Sequence, residues 1–230
     1  MCSTIDIVIA HFQEDLSWLP VDQAHHYYIY TKSPDFDYNA VLKRHSKVNI
    51  IRLPNIGRES HTYLYHILQN YERLASANLN TTLFLQGKIR DHLKYYNVQS
   101  ESESELITSL LKDAIIFGKS KSTAKAWPFK DMSAHPSFKL YSRHAIMQHA
   151  EMPLSKWFCN HIAPIFPDEA RWWVGALFAI RSDIITSRPK NYYQNIFNQL
   201  DHPNPEIGHF LERSWYYVFS NHGSEFAPEP

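Results

Sequence analysis

The sequence is short of the residues that usually mark a reaction. Two cysteines, Cys2 and Cys159, in 230 residues exclude a disulfide framework and a zinc ribbon. Six glycines leave no dinucleotide fingerprint and no Walker loop, which both need several glycines to bring backbone against phosphate. No apolar run exceeds Trp172 to Ile180, far below the roughly 20 residues of a membrane helix, so no transmembrane segment is expected. Charge of either sign is not in surplus: Lys and Arg number 23, as do Asp and Glu. A nonspecific nucleic-acid binder needs a basic excess, and none is present. The amino end, Met1-Cys2-Ser3-Thr4-Ile5-Asp6, has no basic residue and carries an acid inside its first apolar stretch. It does not read as a secretory signal, and a cytoplasmic location is expected. Nor is there a GxSxG elbow, and the 14 histidines show no HExxH or facial-triad spacing.

What is present is a core. Hydrophobic residues make up 44% and charged residues 20%, enough for one large packed domain. Aromatic residues reach 14%, with six Trp and 14 Tyr, suited either to core packing or to stacking on flat ligands and sugars. Strands are expected at Ile5–Ala10, Tyr27–Tyr30, Val48–Leu53, Thr81–Leu85 and Trp172–Ile180. Between the third and fourth, Tyr63, Leu64, Ile67, Leu68, Tyr71 and Leu74 recur at helical spacing over residues 59–74. Two more helices are expected at 189–200 and 206–220. Ser100 with Glu103, or Ser102 with Glu105, fits a capping box ahead of Leu106, and 117–153 reads as loops with short elements. Near-continuous apolar strands alternating with helices predict an α/β fold. Its central sheet is mostly parallel, with helices on both faces.

In such a sheet ligands bind beyond the carboxyl ends of the strands. Past the first strand lie His11, Gln13, Glu14 and Asp15. Past the third comes Asn55-Ile-Gly-Arg-Glu-Ser, where Gly57 allows a tight turn, the helix start favours an anion, and Arg58 adds a bidentate cation. An ordinary turn with a solvent-facing Arg58 is the alternative. Past the fourth lie Gln86, Lys88, Arg90, Asp91 and His92. Asp91 is placed either to hold a hard cation with His92 nearby or to cap a helix. Past the Trp172 strand come Arg181, Ser182 and Asp183.

Five ordered blocks carry a resemblance: Ile7 to Leu19, Asn55 to Ile67, Phe84 to His92, Gly175 to Tyr193 and Glu212 to Phe219. They resemble an uncharacterised family, filed as a domain of unknown function. That family in turn looks like the GT-A type of nucleotide-sugar glycosyltransferase, a Rossmann-related fold. The resemblance implies a single domain over 1–230, with residues 1–95 as the nucleotide-binding half and 96–230 as the acceptor side. It implies a hexosyltransferase-like enzyme that moves a sugar from a nucleoside-diphosphate donor, UDP- or GDP-linked, to a glycan or other hydroxyl acceptor. His11, Glu14 and Asp15 would face base and ribose. Arg58 would face the diphosphate, and Asn55 and Gln86 would belong to the same nucleotide-sugar site. Asp91 with His92 would hold manganese or magnesium, and Glu212 would be the catalytic base, with Asp183 or Glu206 the next candidate. The loop reads Lys88-Ile89-Arg90-Asp91, without the Asp-x-Asp of that fold, so Lys88 and Arg90 are the alternative neutralisers of the diphosphate. Two other readings are a noncatalytic carbohydrate- or nucleotide-binding module of the same fold, and a phosphate-ester hydrolase built on His11, Asp91 and His92.

Overall fold

The computed structural model describes residues 5–19, 25–44, 47–76, 80–95, 105–107, 124–128 and 147–220. The central sheet has five strands. β1 (Ile5–His11), β2 (His26–Thr31), β3 (Val48–Arg52) and β4 (Thr81–Gln86) run parallel, and β7 (Phe178–Arg181) pairs antiparallel with β4, in the order β3-β2-β1-β4-β7. A separate antiparallel pair is made by β5 (Ala124–Pro128) and β6 (Glu169–Trp173). The fold is thus α/β with a mixed sheet rather than a wholly parallel one.

The β-branched run Ile5, Ile7, Val8, Ile9 suits β1, which is buried on both faces at the centre of the sheet. Alternate residues feed two cores. Val8, Phe84 and Phe178 face α2 (Arg58–Ser76) and α6 (Glu206–Phe219). Ile7, Ile9, Leu83 and Leu85 face the other way, against Leu16, Leu19, Ile89, Leu106 and Ile107. Helix α2 buries Tyr63, Leu64, Ile67, Leu68 and Leu74 on the stripe that its sequence spacing predicts. The shorter α1 (Tyr38–Arg44), α3 (Leu154–His161), α4 (Ser182–Thr186) and α5 (Lys190–Phe197) complete the described helices.

The expected strand over 172–180 is broken. Gly175 and Ala176 take left-handed φ of 69° and 52°, which turns the chain through a short 3-10 segment at Val174–Ala176. β6 therefore leaves the central sheet and pairs with β5, while β7 returns to β4. The capping box proposed around Ser100 to Glu105 falls mostly outside the described residues, as does most of 117–153. Within that stretch Ala124–Pro128 is a strand. No described helix is long and apolar enough to cross a membrane.

Candidate active site at the switch point of the sheet

The chain builds β1, β2 and β3 outward on one side, then crosses back to place β4 on the other side of β1. Between β1 and β4 the strand order reverses, which opens a crevice at their carboxyl ends. His11, Thr31, Arg52 and Gln86 share that edge, since His11 pairs in register with Thr31, Thr31 with Arg52, and Ala10 with Gln86.

Two cavities lie there and share His11 and Glu14. One, about 360 Å³, is bordered by Asp15, Ser17, Ser33, Asp35, Phe36 and Asp37. The other, about 320 Å³, is bordered by Phe12, Lys32, Asn55, Arg58, Glu59 and Gln86. The partition between them is rigid. His11 is 4% exposed; its Nε2 donates to the Glu14 carbonyl at 3.1 Å, which fixes the neutral tautomer, and its Nδ1 takes the Thr31 hydroxyl at 2.9 Å. Burial pulls its pKa down, against the pull of the Glu14 carbonyl and charge. The Phe12 amide donates to Glu14 Oε2 at 2.7 Å, and Trp18 Nε1 donates to the Gly87 carbonyl at 2.9 Å. A Cβ on Gly87 would sit 2.5 Å from Glu14 Oε2, so a side chain there would displace that carboxylate.

The cationic wall is built around a strained turn. Gly57 and Arg58 have φ of 61° and 53°, and for Arg58 this is a conformation that side chains disfavour. Buried Lys32 pins the turn by donating to the carbonyls of Ile56, at 2.5 Å, and Arg58. Burial lowers the Lys32 pKa to about 7, with Glu59 opposing and Arg58 adding to the fall. The Gly57 amide donates to the His202 carbonyl at 2.8 Å, which ties the turn to the segment leading into α6. Arg58 Nη1 lies 3.4 Å from His209 Nε2, and its Nε lies 3.6 Å from Glu59 Oε2.

Behind Arg58 stand the two carboxylates Glu59 and Glu212. Burial raises Glu59, Glu212 adds to the rise, and Arg58 and Lys32 resist it; the net direction is upward. Burial also acts on Glu212, but Arg213, Arg58, His209 and His92 outweigh it and hold that carboxylate below its usual range. Burial pulls His209 down to about 4, helped by Arg58.

Among the residues expected from sequence, His11, Glu14, Asp15, Asn55, Arg58 and Gln86 do border the two cavities. Glu212 stands one layer back, paired with Arg213 at 3.5 Å, and borders neither cavity. Lys88 and Asp91 are exposed and paired to each other at 2.9 Å. Arg90 is exposed too, at the start of the 3-10 segment Arg90–Tyr95. His92 presses on Gly175, where an added Cβ would lie 2.7 Å from its ring. Asp183 is elsewhere. Because β7 runs antiparallel, its end meets the start of β4, with Arg181 opposite Thr81, and Asp183 pairs with Arg181 at the far edge of the sheet. Lys32, Glu59, His209, Asp35 and Phe36 were not singled out from sequence. The rule of looking past each strand applies equally to β2 and leads directly to Lys32.

Asp91 is committed to Lys88, and among the described residues no three His, Cys, Asp or Glu side chains converge.

A family model described as "Protein of unknown function (DUF3431)" matches residues 7–229, and the chain belongs to that family. No curated protein and no solved structure matches it.

Proposed function

We propose that the protein transfers a sugar from a nucleoside-diphosphate donor, of the UDP- or GDP-sugar kind, to a hydroxyl acceptor. The observation that carries this is the pair of cavities joined across His11 and Glu14, one holding Arg58 and Lys32 beside Glu14 and Glu59, the other lined by acids and an aromatic ring. A nucleoside diphosphate has the same two-part chemistry, an anionic diphosphate joined to a flat base and a ribose diol. Arg58 and the amide-rich start of α2 suit the diphosphate. Phe36, Ser17, Ser33 and the carboxylates of Asp15 and Asp35 suit the base and the ribose hydroxyls. Breaking the bond between the sugar and the diphosphate puts charge on the departing phosphate oxygen. Arg58 sits where that charge is stabilised without any reorganisation of solvent. The resemblance to GT-A transferases agrees with this assignment, and the α/β sheet with its crevice past the amino-terminal strands supports it.

Calorimetry with UDP, GDP and dTDP, each with manganese and with chelator, tests the reading. Saturable binding of one nucleoside diphosphate that persists in chelator is expected. Arg58→Ala should weaken it by about 1.5–3 kcal/mol, roughly ten- to a hundredfold in Kd. Binding of free sugars with no nucleotide affinity would instead mark a noncatalytic carbohydrate module. Binding that vanishes in chelator would return Asp91 to the site.

A further inference from the structure

Glu59 is the second residue of α2, is 9% exposed, and forms part of the wall of the Arg58 cavity. Its two oxygens are unlike. Oε2 faces Arg58 Nε at 3.6 Å, while Oε1 is buried and has no hydrogen-bond partner. A buried carboxylate oxygen without a donor is costly, so a purely structural acid uses both oxygens. Asp6 shows that pattern at the opposite edge of the sheet: it is 1% exposed, with Oδ2 on Arg73 at 2.6 Å and Oδ1 on His26 at 3.3 Å. Glu59 is nearly as buried, has one idle oxygen, and borders a cavity.

We propose that Glu59 is the catalytic base of the transfer, its carboxylate taking the proton of the attacking hydroxyl. This rests on the reading of the cavity as a nucleotide-sugar site. The acceptor oxygen forms a bond to the anomeric carbon. The bond from that carbon to the phosphate oxygen breaks, and its electron pair leaves with the nucleoside diphosphate. The hydroxyl proton passes to Glu59. Glu212 is the rival acid, but it is 27% exposed, paired with Arg213, and borders neither cavity. Held ionised behind Glu59, it makes the Glu59 proton harder to lose. The groups facing Glu59 are Arg58 on its own helix, Lys32 past β2 and Glu212 on α6. Glu212 in turn is faced by Arg213, His209 and His92. Desolvation and Glu212 outweigh the two cations, which sets Glu59 above the ordinary carboxylate value of 4.5 and nearer the range where a base is most effective.

The experiment uses UDP-glucose and GDP-mannose with water as acceptor. It follows release of UDP or GDP across pH 4–8, and calorimetry with the same two diphosphates runs alongside. Glu59→Gln should bind the diphosphate within about threefold of the unsubstituted protein and lose a factor of roughly 10²–10⁴ in kcat. In the unsubstituted protein the rate should rise with pH through a limb above 4.5, and that limb should be missing in Glu59→Gln. Glu212→Gln should keep the limb and move it to lower pH, because a neighbouring negative charge is gone. Full turnover in Glu59→Gln with intact diphosphate binding overturns the assignment of Glu59 alone. An unsubstituted protein that binds neither diphosphate overturns the nucleotide-sugar reading and the proposal with it. Should Glu59→Gln fail to fold, Glu59→Asp and the limb of the unsubstituted protein decide. A rate that is flat above pH 4.5 overturns the proposal.

Discussion

At the scale of single residues the site is defined by groups held where they cost stability. Arg58 occupies a left-handed φ of 53° immediately after Gly57, and Lys32 is buried with its ammonium pointed at two carbonyls of the same turn. A strained backbone at the mouth of a cavity persists only when its surroundings hold it, and here the anchors are Lys32 and the His202 carbonyl. Arg58→Ala and Arg58→Gly remove the same guanidinium. They differ in strain, so the Gly variant should be more stable than the Ala variant by about 1 kcal/mol in chemical denaturation, with equally weak diphosphate binding. Equal stabilities would mean that the turn relaxes once the side chain is gone. Arg58 was legible in the sequence because a Gly-Arg pair between a strand and a helix is a known place for an anion. Glu59 was harder to see, since burial and the pairing of side chains from different elements are not written in local sequence.

At the scale of elements, the two amphipathic helices α2 and α6 follow directly from apolar spacing, and each of the five central strands overlaps an apolar run that predicts it. The break between β6 and β7 does not follow from periodicity, because a glycine inside an apolar run is compatible with an unbroken strand. What decides it is contact at a distance: Gly175 lies under the His92 ring, and its carbonyl takes Gln86 Nε2 at 2.7 Å. β7 runs antiparallel to β4, which takes Asp183 away from the carboxyl ends of the parallel strands. Gly175→Ala places a Cβ in a left-handed conformation and 2.7 Å from the imidazole. It should cost about 2–4 kcal/mol and lower Tm by roughly 5–10 °C in a calorimetric scan. A loss below about 0.5 kcal/mol would show that His92 moves freely. At the far edge of the sheet, Arg73 and Asp6 join the last turn of α2 to β1. That contact answers the puzzle of an acid inside the first apolar strand.

At the scale of the whole molecule, buried histidines set the response to acid. Burial holds His61 near 4, His66 near 3 and His209 near 4, each below its ordinary 6.5. Between those values and 6.5 the unfolded chain binds more protons than the folded one, so stability falls as pH drops from about 6.5 towards 3, by about 1.4 kcal/mol per unit per group. Glu59, shifted upward, works in the opposite sense only between 4.5 and its raised value. Thermal midpoints should therefore decline between pH 7 and 5, above the range in which ordinary carboxylates titrate, and His66→Gln should flatten that decline. A midpoint constant from pH 7 to 5 would contradict the neutral burial of these rings.

The central claim is that the crevice between β1 and β4 holds a nucleoside diphosphate. Amide chemical-shift mapping during a UDP or GDP titration tests it most directly. The account predicts saturable shifts confined to Gly57, Arg58, Glu59, Gly87, Phe36 and their neighbours, with the far edge around Asp6 and Asp183 unmoved. Shifts centred on that far edge, or none with either diphosphate at millimolar concentration, would contradict it.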